Sequence, residues 1–248
     1  AAGASTSILK IKLKSLGGNF TITPADSILS SQPDPNDPMT TIYNVYNNAK
    51  LNLTAVPNNG WYLKEWFNAA EQTTIIRNVY ELTVTEDTLI TLEFRQPQTI
   101  NVSGGGNNLN QAVSDAKNGD ILVVAAGTYS GGINLGGKQL KLFGTKPDNP
   151  TVVEKTIIDC SLSGRGFVLS SGEDGNTVIN GFTIINAGGD VNDSLSGPAI
   201  YIDGNSSPLI ANVDIADCRV YNGNGGAIYI GNKCGPTLNN VNIANCSA

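Results

Sequence analysis

Residues 197–218 read GPAIYIDGNSSPLIANVDIADC, and residues 225–246 read GGAIYIGNKCGPTLNNVNIANC. The second stretch is the first displaced by 28 positions: Ile200-Tyr201-Ile202 returns as Ile228-Tyr229-Ile230, Val213-Asp214-Ile215 as Val241-Asn242-Ile243, and Asp217-Cys218 as Asn245-Cys246. Earlier segments fit with insertions. Phe167-Val168-Leu169 takes the Ile-Tyr-Ile place, Phe182-Thr183-Ile184 leads to Asn186-Ala187, and Ile157-Ile158 leads to Asp159-Cys160. Short alternating strands at a fixed period describe a solenoid, each coil stacking its strands on the last. Neighbouring strands then lie ~4.8 Å apart, and about five coils fit from Ile121 onward.

Stacking predicts columns of like side chains. Asp159, Asn186, Asp217 and Asn245 form one column at the turn after a strand, where amides bond along the axis. Asp159 and Asp217 are its carboxylates and the weak candidates for a Ca²⁺ site, a hard ion that needs several oxygens. Cys160, Ala187, Cys218 and Cys246 form an inward column. Cys218 and Cys246 fall within disulfide range, and a free thiol stack is the alternative. Cys234 sits in a turn with no obvious partner. Tyr201 and Tyr229 alternate with inward Ile, so their rings face outward one coil apart, as a sugar-binding surface or an ordinary cross-strand pair.

Upstream, Leu109, Ala112, Val113 and Ala116 mark one face of a short helix that Asn107 or Asn108 can cap, and ILVVAA after Asp120 is a buried strand. This helix followed by Gly119-Asp120, Ile121, Val123 and Gly127-Thr128-Tyr129 resembles the opening of right-handed parallel β-helix proteins of the pectate-lyase-like type. The resemblance implies a helix that caps the first coil. Gly225-Gly226-Ala227-Ile228-Tyr229, Ser207-Pro208 and Asn245-Cys246-Ser247-Ala248 also resemble the repeats of polymorphic outer-membrane and related bacterial surface proteins. That likeness implies a secreted or cell-surface protein.

Residues 1–97 read as a separate all-β domain of about five to six short strands. SILKIKLKS alternates as a half-buried strand, SQPDPNDPMT is loop, and YELTVTEDTLITLEF turns at Glu86-Asp87 and returns. Gly17, Gly18 and Pro24, then Leu53-Thr54-Ala55, Pro57, Gly60, Trp61, Leu63 and Trp66, then Val84-Thr85, Asp87-Thr88 and Phe94 resemble the InlB B-repeat domains of bacterial surface proteins. Such domains act as stalks, spacers or adhesive modules. Trp66 is expected in the core, while Trp61 is open between core and sugar platform. The fold class expected is therefore all-β, a small N-terminal β domain followed by a single-stranded parallel β-helix over residues 98–248.

Composition narrows the function. Only 15% of residues are charged and the net charge is −6, which argues against a nucleic-acid partner. No apolar run reaches 18 residues, so no transmembrane helix is expected. The start, AAGASTS, fits a mature end after signal cleavage or a cut boundary equally. The chain has 4 Cys and no His, which excludes imidazole ligands and Ser-His or Cys-His nucleophiles. The lyase resemblance implies Ca²⁺ with a basic residue, or a Lys/Arg pair. Arg165, Arg219 and Lys233 are the basic candidates in the coils, and Glu173-Asp174 and Asp190 with Asp193 are the acidic pairs, read first as solvated loops. No catalytic residue is assigned and no cofactor is expected beyond possible Ca²⁺. The reading placed first is an extracellular structural or interaction protein, a surface, matrix or filament subunit. It would assemble with itself or other surface proteins through an uncapped last coil. The alternatives are a polysaccharide lyase-like enzyme and a carbohydrate-binding adhesin using Trp61, Tyr201 and Tyr229.

Overall fold

The computed structural model describes residues 5–189 and 195–248. Its chain divides into two compact units, residues 1–97 and 98–248. Asp190 and Asp193 lie outside the described residues.

The first unit has more strands than the five to six expected. They are β1 (Thr6–Leu13), β2 (Gly18–Thr23), β3 (Ile28–Asp34), β4 (Asp37–Tyr46), β5 (Ala49–Pro57), β6 (Tyr62–Asn68), β7 (Thr73–Ile75), β8 (Val79–Val84) and β9 (Thr88–Arg95). A 6-stranded sheet runs β3-β4-β1-β9-β6-β7, and a 3-stranded sheet runs β2-β5-β8. Alternation along each strand sends Leu9, Ile11, Leu51, Leu53, Leu63, Ile90, Leu92 and Trp66 into one core. Phe20 and Tyr80 stand against Trp66 at 6.4 and 6.5 Å between centroids.

Two expectations fail here. SQPDPNDPMT is not loop but the tip of the β3–β4 hairpin. β3 is an edge strand, so Pro33 can lack an amide hydrogen without breaking a ladder. Asp34 Oδ1 accepts the Asn36 amide and Asp37 Oδ1 the Met39 amide, which closes the turn. Lys10 and Lys12 pair with Asp34 and Asp37 at 3.1 and 2.8 Å. β8 and β9 do not return on each other either. β8 pairs with β5 in one sheet and β9 with β1 and β6 in the other.

The second unit opens with β10 (Thr99–Val102), helix α1 (Asn108–Asp115), β11 (Ile121–Val124), β12 (Gly127–Ser130) and β13 (Ile133–Asn134). Then come β14 (Lys141–Gly144), the short helix α2 (Pro150–Val153), β15 (Thr156–Asp159), β16 (Phe167–Leu169) and β17 (Val178–Ile185). The last strands are β18 (Ile200–Ile202), β19 (Leu209–Ala216), β20 (Ile228–Ile230) and β21 (Thr237–Ala244). Every pairing between these strands is parallel. One face is the 4-stranded sheet β13-β16-β18-β20. The other two faces share β17, β19 and β21, which bend in the middle: β10, β11 and β14 continue their first halves, β12 and β15 their second. This is the right-handed parallel β-helix, an all-β fold.

Inside, Ile133, Leu142, Ile158, Phe167, Ile179, Phe182, Ile184, Ile200, Ile210, Val213 and Ile215 are almost wholly buried. Each such side chain contributes roughly 1.5–3 kcal/mol by leaving water. α1 lays Leu109 and Val113 on the first coil. Neither Asn caps it by a side chain: Asn107 holds the cap position without a side-chain bond, and Asn108 Nδ2 donates to Ser103 O instead. The other end is better served. Lys138 Nζ donates to the carbonyls of Val113, Ser114 and Ala116, where a cation also meets the negative end of the helix dipole.

Two amide columns brace the coils. At the bend, Asn240 Nδ2 donates to Asn212 Oδ1 at 2.7 Å, and Asn212 Nδ2 donates to Asn180 Oδ1 at 2.9 Å. The sequence reading did not pick this column out. The one it did pick out is formed with a shift. Asn245 reaches Asp217 at 3.3 Å and Asn186 reaches Asp159 at 3.1 Å. Asp159, however, stands in register with Ile185 rather than Asn186, because β15 arrives after the α2 insertion one residue out of phase.

Candidate functional site

The outward residues of the 4-stranded sheet form a single column, Asn134, Val168, Tyr201 and Tyr229. Strict alternation places them there, since Ile133, Phe167, Leu169, Ile200 and Ile202 fill the inside. The Tyr201 and Tyr229 rings stack at 5.2 Å, 9° from parallel. Arg165, in the turn before β16, lays its guanidinium 4.1 Å from the Tyr201 ring centre. By coil order Tyr201 is held between Arg165 and Tyr229. A cation on a ring face is worth about 0.5–2 kcal/mol.

The arrangement changes what the tyrosines can do. The faces of Tyr201 are occupied, so it offers no flat platform to a pyranose. It offers an edge and a hydroxyl, which donates to Asp203 Oδ2 at 2.8 Å. That bond and burial push the Tyr201 phenol above its ordinary value, while the Gly204 amide, and after it the Tyr201 hydroxyl, hold the Asp203 carboxyl below its own. Arg165 Nε donates to Ser196 O at 3.0 Å, and its terminal nitrogens have no carboxylate partner among the described residues. The ion pairs of Lys10, Lys12 and Lys64 lie in the first unit.

No family model and no curated protein matches the chain. Among solved structures it is similar to the PL6 family alginate lyase AlyGC and to a mutant of that enzyme. The identities are 16% and 18%, each with a TM-score of 0.42, covering 59% of this chain and 20% of those chains. The chain thus spans about a fifth of the length of the structures it matches. Likeness at that level transfers neither a residue nor an activity, and the site stands on its own geometry.

The other candidate residues are dispersed. Trp61 belongs to the first unit, half-buried against Gly17 and Phe94, with Tyr201 and Tyr229 in the second. Arg219 lies 5.8 Å from the Tyr221 ring, and Lys233 is an exposed turn residue. The Ca²⁺ reading of Asp159 and Asp217 finds no cluster. Asp159 Oδ1 is taken by Ser161 N and Asn186 Nδ2, Asp217 by Asn245, and among the described residues no group of acidic, Cys or His side chains could hold a metal.

Glu173 is the clearest departure from the sequence reading. It is no solvated loop residue: its side chain is 0% exposed. Oε1 accepts from Gly137 N, and Oε2 from Ser171 N and Ser206 Oγ, each at 2.8 Å. One carboxylate therefore ties three successive turns. Asp174 points the other way and accepts from Gln139 Nε2 and Asn176 N.

The cysteines are free thiols, so the Cys218–Cys246 disulfide is not formed. Cys218 and Cys246 follow in-register strands, and each thiol donates to a carbonyl of its own coil, Ala216 O or Ala244 O, at 3.2 Å. Burial pushes the Cys160 and Cys218 thiols up from 9.0 to about 12. At pH 8 that leaves about one thiolate in ten thousand. Iodoacetamide at that pH is expected to modify the half-buried Cys234 and Cys246 and spare Cys160 and Cys218 until urea is added. Peptide masses read the outcome, and early loss of Cys218 would contradict its inward place. The two raised thiols also favour the folded chain below pH 9, an advantage lost as pH rises from about 9 to about 12.

Proposed function

We propose that the β-helical unit binds a carboxylate-bearing glycan along the outward column of β13, β16, β18 and β20. The observation that carries this is Arg165: a guanidinium fixed on the Tyr201 ring, beside phenol hydroxyls, with its terminal donors free of carboxylates among the described residues. A planar fork of this kind suits a carboxylate. Work outside the cell, as a secreted or surface protein, goes with such a ligand. On the InlB-like reading the first unit serves as a spacer.

Electrophoresis through gels cast with alginate, polygalacturonate or a neutral β-glucan tests the reading. The protein should be retarded by one or both uronans, less so in high salt, and not by the neutral glucan. Arg165→Ala should weaken retention about tenfold, since a charge-assisted hydrogen bond is worth ~1.5–3 kcal/mol. Equal mobility of wild type and variant in every gel would sink the idea. Absorbance of an unsaturated product in the same mixtures, with and without Ca²⁺, tells whether binding leads to elimination.

Self-assembly through the last coil has less behind it. Ile230, Leu238 and Ile243 are exposed because β20 and β21 are the last strands of the 248 residues. That exposure is the same whether another coil, another copy or water follows, so it favours none of them.

A further inference from the structure

The outward column does not simply run off the first coil. At its β13 end, Asn134 also lines a cavity of about 360 Å³ between α1 and the turn after β13, with Asn110, Ser114, Gly132, Leu135 and Lys138. We propose that this cavity, at the β13 end of the outward column, takes the terminal sugar of a glycan chain lying over Val168, Tyr201 and Tyr229. The proposal rests on the binding reading above and adds a chain end to it.

Three observations carry it. The first is continuity: Asn134 is in register with Val168 and, through it, with Tyr201 and Tyr229, so column and cavity share a wall. Three strand steps separate Tyr229 from Asn134, about 14 Å, a few sugar rings. The second is closure. α1 stands across the end, and Leu109 and Val113, both buried on the first coil, hold it there. Asn110 and Ser114 on its outer side give the cavity a helical wall on that side. The third is chemistry. The volume lies at the small end of ligand pockets, suited to a ring rather than an oligomer. Ser114 and Asn134 supply polar contacts, while the side chain of Leu135 is wholly buried beneath the lining. Asn110 donates to Gly131 O while its Oδ1 has no partner among the described residues. Lys138 is held by three helix carbonyls and brings a positive charge that no carboxylate in the lining offsets. Hydroxyls on a ring, with one carboxylate near Lys138, match that set.

Ser114 is exposed on α1, so Ser114→Trp can fill the cavity without entering the core. Tetramers of galacturonate and of mannuronate are the probes, with calorimetry as the readout. The tetramer that binds wild type should bind Ser114→Trp at least tenfold more weakly, and Ser114→Ala, which loses one polar contact and leaves the space open, only about two- to fivefold more weakly. On wild type alone, affinity per chain should stay level from tetramer to dodecamer, because each chain has one end to insert. Affinity that climbs several-fold with length means internal registers bind, and it overturns the proposal. So does a Ser114→Trp protein of native circular dichroism that binds the tetramer normally while Arg165→Ala does not, a result that leaves binding along the outward column standing. If wild type binds no uronan of any length, that binding reading itself fails.

Discussion

Glu173→Ala is expected to lower the urea midpoint of the β-helical unit by about 1 M or more. The alanine removes the acceptor of one buried donor, Ser206 Oγ, and of two part-buried ones, Gly137 N and Ser171 N. Each unsatisfied donor costs about 1–3 kcal/mol, and Ser206 is as fully buried as Glu173. A water entering the vacated polar space recovers part of this, which leaves roughly 3–6 kcal/mol, against a total stability of about 5–15 kcal/mol and a urea slope of about 1–3 kcal/mol per molar. Glu173→Gln separates shape from charge. Its amide oxygen can still serve Ser171 and Ser206, but the NH₂ then faces the Gly137 amide, donor against donor. The Gln protein should fall between wild type and Ala. Circular dichroism follows the whole chain. Tryptophan emission gives an internal control, because both Trp residues, Trp61 and Trp66, are in the first unit. A dichroism midpoint within about 0.2 M of wild type would show that water replaces the carboxylate without loss.

The repeat that made the β-helix legible also limited what could be read from it. Inward Ile and Val, outward Tyr and a period of 28 are visible because each coil restates them, and the strands from β18 to β21 pair in that register. What occurs in one coil only has no second copy to announce it. Glu173 looks like any acid in a Gly-rich loop, since its burial comes from Gly137 one turn before and Ser206 one turn after. Arg165 and Tyr201 both stand out as candidates, but they lie far apart in sequence, so nothing local shows that the one covers the other. The end cavity depends on how α1 lies over residues 132–138, a packing fact with no local signature. In the first unit, three prolines in ten residues outweighed the alternation around them. Edge position and the Asp34 and Asp37 turn bonds, which made the hairpin possible, are tertiary facts.

Gly181→Asn is the substitution that separates these two kinds of information. Gly181 stands at the bend where the next coils carry Asn212 and Asn240, both with positive φ, 47° and 51°. From the repeat alone, an asparagine here extends the amide column by one rung and should stabilise, since Asn tolerates that backbone region better than other side chains. The structure gives the opposite sign. Gly181 has φ 85°, and a Cβ on it would lie 2.6 Å from Pro147 Cα and 2.7 Å from Pro147 Cβ. Backbone cannot yield as a side-chain tip can. The segment leading into α2 already fills the space of the missing side chain, and Asp148 adds a second acceptor for Asn212 Nδ2 at 3.2 Å beside Asn180 Oδ1 at 2.9 Å. Inserting Asn must push Pro147 outward, pull Asp148 off Asn212 and strain α2, which hydrogen-bonds β17 through Thr183 Oγ1 to Val153 O. Overpacking of this kind costs about 1–3 kcal/mol, and the lost Asp148 bond adds about 0.5–1.5 kcal/mol. A loss of roughly 2–4 kcal/mol is expected, read as a lower urea midpoint by dichroism with unchanged tryptophan emission. A gain in stability would mean that residues 145–149 swing away at little cost, and that the bend column, not the insertion, governs this coil.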